Sequence, residues 1–446
     1  MAKNLDISYK SLIKIALPLS LGAFVQFLVV LTDNVFLSEV GEDYLNGAGV
    51  ASMLYITAIM FGIGLSSGTQ IFIARKIGEG KDNEVGEWFG SGIRIAIGMG
   101  VALYGLFLLL DQYAHHHLIQ SENVLLVMRE FLSIRSLGLI IYIPLLVLNS
   151  LYIGSGKTGV LSVSMVITAG LNILLDYLLI FGIGVFPEMK HEGAALATLI
   201  SEAAGATFLV SYTVWKYKGS AFGLLHGITN VKRGIARRLM KLSLPLIIQQ
   251  IIALSTWTAF FFFVEKVGGM ELKVSNIVRS TYMLAFVAVM GVGYTTRTVI
   301  STLIAENRQE ELTAAMKRLI LINLGGVLLL CHGLVLYPEV ISRYFFQDPE
   351  GIKAMTDSLR VVFVAMLIFS FSSILFNTIE GSGRTKTGMF IEFTGVIAYI
   401  ILVYHFTITS PQPIHIIWMT DYLYFTLIGI LSLLFLWRSN WKYTQI

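Results

Sequence analysis

The chain is built from long apolar runs broken by short polar stops. Twelve runs stand at roughly 12–37, 47–74, 88–111, 124–153, 158–185, 193–216, 239–264, 274–303, 315–338, 355–380, 386–408 and 412–437. Each matches the ~20 mostly apolar residues that a helix needs to cross a hydrocarbon core. No stretch between them is long or polar enough for a separate soluble domain. The pattern predicts an all-α integral membrane protein of twelve transmembrane helices. The longest polar connection holds Lys216, Lys218, Lys232, Arg233, Arg237, Arg238 and Lys241 and sits mid-chain. It reads as a linker, residues 216–238, between lobes at 1–215 and 239–446.

The two halves repeat. A shift of 227 residues lays Lys14-Ile15-Ala16-Leu17-Pro18-Leu19 on Lys241-Leu242-Ser243-Leu244-Pro245-Leu246. The same shift matches Val40-Gly41 with Val267-Gly268, and Gly154-Ser155-Gly156-Lys157-Thr158 with Gly381-Ser382-Gly383-Arg384-Thr385. It also brings Gly78-Glu79-Gly80-Lys81 onto Ala305-Glu306-Asn307-Arg308. One ungapped offset aligning four separated sites maps spans 1–6 onto spans 7–12. Six is even, so both copies enter the membrane in the same direction. Two six-helix bundles related by a pseudo-twofold axis along the membrane normal are expected, as in parallel-repeat transporters. Substrate would lie in a cleft between the lobes.

Composition agrees with a lipid solvent. The chain is 55% hydrophobic and 13% charged, against roughly 25% charged for soluble domains. Its 41 glycines suit close helix packing in a bilayer. With the N-terminus placed inside, inner segments hold 21 of the 32 basic residues and outer loops five. That bias puts both termini in the cytoplasm, with the bacterial inner membrane as the expected location. The net charge of +4 then describes anchoring at the inner leaflet and no nucleic-acid partner. A single cysteine, Cys331, excludes a disulfide framework or a cysteine metal site. No cleavable signal peptide is evident, because the first apolar run continues through Asp33 without a small-residue cleavage site.

Charge in a bilayer centre costs ~2.5–3.5 kcal/mol on insertion scales, so acids kept there are functional candidates. Asp33, Asp176, Glu202, Glu392, Arg94, Arg279 and Arg297 lie deep in the predicted spans. Asp33 and Asp176 fall in the outer halves of spans 1 and 5. Asn172 precedes Asp176 by four residues and shares its helix face. A carboxyl withdrawn from water holds its proton more tightly, and a neighbouring carboxylate adds to this, so such a group can load and release a proton. The matching residues of the second half are Phe260, Tyr399 and Val403, so the acids belong to the first half alone. Glu392 and Glu202 are secondary acid candidates, with solvation plausible for Glu392 near the inner end of its span. Arg135 and Arg360 lie near outer span ends, where snorkelling explains them.

Other motifs fail. Gly154-Ser155-Gly156-Lys157-Thr158 lacks the upstream glycine of a phosphate-binding loop, which would fall at Leu151. His115-His116-His117 has no partner ligands, so no metal site is expected. No nucleophile is paired with a base, and no enzyme activity is expected. Nor is any cofactor.

The motifs together resemble the multidrug and toxic compound extrusion (MATE) transporters, over essentially the whole chain. Ala16-Leu17-Pro18-Leu19 followed by Asp33 resembles the family's first helix. Gly64-Leu65-Ser66-Ser67-Gly68-Thr69-Gln70 with Ala74-Arg75-Lys76-Ile77-Gly78 resembles its second. Asn172-Ile173-Leu174-Leu175-Asp176-Tyr177 with Phe181-Gly182 is similar to its fifth, and Gly193-Ala194-Ala195-Leu196-Ala197-Thr198 to the start of its sixth. The resemblance implies two facing six-helix bundles and export of organic, often cationic, small molecules by a monomer in exchange for H⁺ or Na⁺. It implies a prokaryotic first-lobe coupling site at Asp33, Asn172 and Asp176, joined by Asn149 and Thr198, and bending of helix 1 near Pro18. Two positions depart from it: Val29 stands where some members have tyrosine, and Phe369-Ser370-Phe371-Ser372-Ser373 lacks the acid that some branches keep on helix 10. The second departure favours the first-lobe site. The competing reading is a flippase for lipids or lipid-linked oligosaccharides, which would line its cleft with several basic residues.

Overall fold

The computed structural model describes residues 5–113, 121–219, 221–230 and 232–446. Their regular structure is helical: α1 (Tyr9–Val40), α2 (Glu42–Gly78), α3 (Asp82–Tyr113), α4 (Glu122–Arg135), α5 (Gly138–Gly154), α6 (Gly159–Phe181), α7 (Lys190–Tyr217), α8 (Leu224–Thr229) and α9 (Arg233–Glu265). The second half supplies α10 (Gly269–Ala305), α11 (Leu312–Cys331), α12 (Gly333–Leu336), α13 (Pro338–Phe345), α14 (Pro349–Gly381), α15 (Thr385–Tyr404), α16 (Ile414–Trp418) and α17 (Thr420–Arg438). Eleven helical spans among the described residues are long and apolar enough to cross a membrane, and the bent pair α4–α5 makes a twelfth. The all-α membrane architecture read from hydropathy is thus the fold. The run expected at 315–338 is shorter than expected: α11 ends at Cys331, and the short helices α12 and α13 follow. The triplet His115-His116-His117 lies outside the described residues.

Packing divides the chain differently from the linker reading. One compact unit is residues 21–247; the other joins residues 1–20 to 248–446. The boundaries 1–215, 216–238 and 239–446 therefore do not coincide with the packing units. The start of α1 packs with the second-half helices and the start of α9 with the first-half ones. Glycine makes both approaches possible. A Cβ on Gly64 of α2 would stand 2.5 Å from the backbone of Ile247. A Cβ on Gly291 of α10 would stand 2.8 Å from the backbone nitrogen of Ser20. Gly291 and Ser20 are the repeat partners of Gly64 and Ile247, so the exchange is reciprocal.

In the first unit α6 packs along α7, while α2 and α3 each pack along α5. Part of the expected linker is ordered. It forms α8, which lies against α3 where Gly86 and Gly90 leave room for its backbone. Arg94 of α3 donates through Nη1 to the carbonyls of Gly227 (2.7 Å) and Ile228 (2.6 Å), closing the end of α8. In the second unit α14 packs between α10 and α17, and α15 lies along α17. Its core is aromatic, gathering Phe260, Tyr282, Tyr399, Trp418 and Phe425.

One difference between the halves bears on the site. The fourth span of the first half is bent by 53° between α4 and α5, whereas its counterpart α14 runs unbroken. A buried ion pair sits at the bend. Arg135 ends α4, and Gly138 opens α5 against its side chain; a Cβ there would stand 2.7 Å from Arg135 Nη1. The matching residues of α14 are Val362 and Ala365, and no such group interrupts the helix.

Candidate functional site

α1, α6 and α7 of the first unit bring the predicted residues together. Asn172 and Asp176, one turn apart on α6, face inward and are 1% and 0% exposed. Asp33, reaching in from α1, brings its carboxyl within hydrogen-bonding range of Asp176. Asp33 Oδ1, both carboxyl oxygens of Asp176 and Asn172 Oδ1 are buried without a hydrogen-bond donor. Two carboxyl groups facing each other with few polar neighbours disfavour a double negative charge.

The amide of Asn172 is oriented by α7. Its Nδ2 donates to Thr198 Oγ1 at 3.3 Å, and the Thr198 hydroxyl donates in turn to the Ala194 carbonyl at 2.9 Å. With its nitrogen engaged, Asn172 leaves its carbonyl oxygen free to accept. A cavity of about 60 Å³ opens beside it, lined by Gln26, Asn149, Asn172, Thr198, Ser201 and Glu202, among others. Asn149 therefore joins Asn172 and Thr198 around one space, as the motif position implied. The volume suits one or two waters or a small cation. The carboxyl pair itself does not line it. Among the described residues no group of three or more acids, histidines or cysteines could hold a metal ion.

Two sequence expectations fail here. Arg135 does not snorkel. It is 8% exposed and binds Glu202 of α7 through two bonds, Nη1 to Oε2 at 2.8 Å and Nη2 to Oε1 at 2.6 Å. Its guanidinium lies 3.9 Å from the ring centre of Tyr55 and donates to the Tyr55 hydroxyl at 2.9 Å. Glu202 is therefore a neutralised counter-ion at the edge of the cavity, not a free acid. Hydropathy treats the two residues separately because they lie 67 positions apart. Nor is Glu392 solvated: it is 6% exposed and accepts a hydrogen bond from the Tyr424 hydroxyl. Arg360, by contrast, is exposed beside Asp357, as snorkelling requires. Arg297 pairs with the buried Glu380 at 3.0 Å, and the half-buried Arg279 lies over the Phe261 ring at 5.0 Å. Pro18 sits inside the continuous α1, two residues before the point where packing passes from one unit to the other. A proline there cannot donate a backbone hydrogen bond and makes a soft place in the helix. Sequence reading missed Asp421, a buried acid at the start of α17.

The MatE family model matches residues 18–178 and again 245–405. Both ends of the two matches stand 227 residues apart, the offset of the internal repeat. Among curated relatives, the "Probable multidrug resistance protein NorM" of Thermotoga maritima is 24% identical over 388 residues, covering 87% of this chain and 83% of that protein. The "Multidrug export protein MepA" of Staphylococcus haemolyticus is 22% identical over 385 residues, covering 84% and 83%. Among solved structures, an outward-facing multidrug resistance MATE family transporter superposes with a TM-score of 0.87 at 20% identity, over 96% of this chain and 94% of that one. With the family match spanning both halves and the fold shared along nearly its whole length, the chain belongs to the MatE family, and is a membrane transporter, not an enzyme.

Proposed function

We propose that the protein is a secondary antiporter that exports organic, often cationic, small molecules in exchange for H⁺ or Na⁺. In this reading it is a monomer in the bacterial inner membrane, with both termini in the cytoplasm and no cofactor. Relatives named for multidrug resistance and multidrug export support drug export. The observation that carries the coupling is the Asp33–Asp176 pair, two acids that meet out of water with no basic partner of their own. With one proton shared and a second proton or a monovalent cation bound, such a pair is neutral; each one lost leaves a further charge that the apolar surroundings penalise. The cost of emptying it then depends on whether water reaches it. That is how ion release can be tied to the conformation of the bundle. Asn172, Thr198 and Asn149 supply the polar oxygens beside the pair, and Pro18 gives α1 a place to bend.

The test is efflux of a fluorescent organic cation from cells or inverted vesicles. Asp33→Asn and Asp176→Asn should each abolish gradient-driven efflux while the protein still reaches the membrane. Full transport by both variants overturns the assignment. Imposing H⁺ and Na⁺ gradients separately identifies the coupling ion.

A further inference from the structure

We propose that Asp421 is a second proton-carrying carboxyl, placed in the second-half helices, that loads and releases a proton during the transport cycle. The proposal rests on the exchange function given above, but a different set of residues carries it. Asp421 is 3% exposed, and its Oδ2 meets no hydrogen-bond partner. The polar groups aimed at its carboxyl are the phenol hydroxyls of Tyr282 from α10 and Tyr399 from α15. On its own helix Tyr422 and Tyr424 lie nearby, and behind Tyr424 stands Glu392 of α15. No guanidinium or ammonium acts on Asp421 from any described element packed against it. The nearest base along α10 is Arg279, one turn from Tyr282 and engaged with the Phe261 ring.

The internal repeat shows why this acid differs from its counterpart. Tyr55 and Tyr282 are repeat partners, 227 residues apart, and each faces a buried acid on the sixth helix of its half. In the first half the acid is Glu202, neutralised by Arg135. In the second half the place of Arg135 is taken by Val362, fully buried in the same core as Tyr282 and Tyr399. The tyrosine is kept across the repeat, the position of Glu202 itself becomes Gly429, and Asp421, which stands two turns earlier on the same helix, has no arginine. A buried carboxylate without a counter-charge costs far too much to persist, so the group holds a proton. Sodium would need several more oxygen ligands. Trp418 and Phe425, near Asp421 in the sequence, belong to the aromatic core, and Thr420 has already given its hydroxyl hydrogen to the Ile417 carbonyl.

The repeat also locates the site. Phe260, Tyr399 and Phe425 stand where Asp33, Asn172 and Thr198 stand in the first half, and Asp421 corresponds to Ala194, one turn before Thr198. Each half thus carries a proton-holding acid in the same region of the repeat, supplied from a different helix.

The test uses full-length protein, both solubilised and reconstituted in vesicles. In the infrared spectrum Asp421→Asn should remove one protonated-carboxyl band that Asp33→Asn leaves in place, and substrate addition should diminish that band in the wild type. In vesicles under an imposed pH gradient, the substrate gradient that just halts efflux gives the proton-to-substrate ratio. Asp421→Asn should keep pH-driven efflux with a ratio lower by about one proton, the share of a single carboxyl. Should Asp421→Asn fail to assemble, Tyr282→Phe with Tyr399→Phe keeps the acid and removes its donors, and the band should move in frequency. An unchanged ratio, a band that ignores substrate, or a band unmoved in the tyrosine variant overturns the proposal. Wild-type efflux indifferent to pH and Na⁺ gradients overturns the exchange function instead, and the pH titration of the infrared band still decides whether Asp421 carries a proton.

Discussion

Each buried acid is defined by what opposes it. Glu202 and Glu380 each meet an arginine, Asp176 meets Asp33, Glu392 meets the Tyr424 hydroxyl, and Asp421 meets tyrosines alone. A buried ion pair yields little net stability, because desolvation offsets attraction, but removing one partner leaves a charge with nothing to balance it. Arg135→Met should therefore cost about 3–5 kcal/mol, read as a lower melting temperature in detergent. Arg135→Met combined with Glu202→Leu should recover most of that loss. Equal destabilisation by the single and double variants would show that the pair acts through packing. That Asn172 and Asp176 share a face was legible in the sequence, because four-residue spacing fixes it in any helix, and both side chains are buried. The sequence could not pair Arg135 with Glu202, since that contact exists only once α4 and α7 have packed. Asp421 lies ten residues into the 412–437 run, so the same cost of charge in a span applies to it as to the other deep acids. The readable signal was the repeat, which conserves Tyr55 as Tyr282 and replaces Arg135 with Val362.

Element positions were legible because lipid demands long apolar helices, and few sequences meet that demand by accident. The 53° bend after α4 was not, because glycine and proline such as Gly138 and Pro144 also sit inside straight membrane helices, and the meeting of Arg135 with Glu202 at the break exists only after packing. The exchanged helix starts were equally hidden. They depend on which glycine lets two backbones approach, and the 41 glycines look alike in sequence. The contacts of individual glycines tell them apart. Gly49 and Gly64 both lie on α2, yet an added Cβ meets nothing within 4 Å at Gly49 and the Ile247 backbone at 2.5 Å at Gly64. Gly49→Ala should leave the melting temperature unchanged or raise it, by up to the ~0.5–1 kcal/mol that alanine gains over glycine in a helix. Gly64→Ala and Gly291→Ala should each lose about 1–3 kcal/mol through forced separation of packed backbones. Equal effects at Gly49 and Gly64 would mean that α2 and the start of α9 do not pack as described.

At the scale of the whole chain, the duplication is crossed by its own ends, so residues 5–20 depend on the second half for their packing. Ile7, Leu12 and Ala16 pack in an apolar core with Val292, Val299 and Ile300, and polar contacts pin the residues ahead of the helix. The Leu5 amide donates to Glu306 Oε1 at 3.1 Å, Arg308 donates to the Leu5 carbonyl at 2.8 Å, and Arg318 donates to the Ile7 carbonyl at 2.8 Å. Asp6 prepares the entry to α1 by accepting from the Ser8 backbone and hydroxyl at 2.8 and 2.6 Å. Those Ser8 bonds, helped by the nearby Arg318 and Arg308, hold its carboxyl below the ordinary 3.8. On the α2–α3 turn, burial pushes the Glu79 carboxyl up, but Lys76 and Lys81 outweigh it and hold the group below the ordinary 4.5. An acid whose folded value is depressed supports the fold above its unfolded value and loses that support as pH falls through the folded one. Both contributions are therefore intact at neutral pH and disappear only under strong acid. Both are also solvent-facing and small. Hydrogen exchange in the first turn of α1 should stay slow from neutral pH down to about 4.5 and accelerate below 3.8, beyond the intrinsic pH effect on exchange. Asp6→Asn should bring that faster exchange to neutral pH. If the variant exchanges like the wild type at pH 7, the polar hold on the N-terminal segment comes from Arg308 and Arg318 and not from Asp6. Arg308→Ala would then release the segment at every pH.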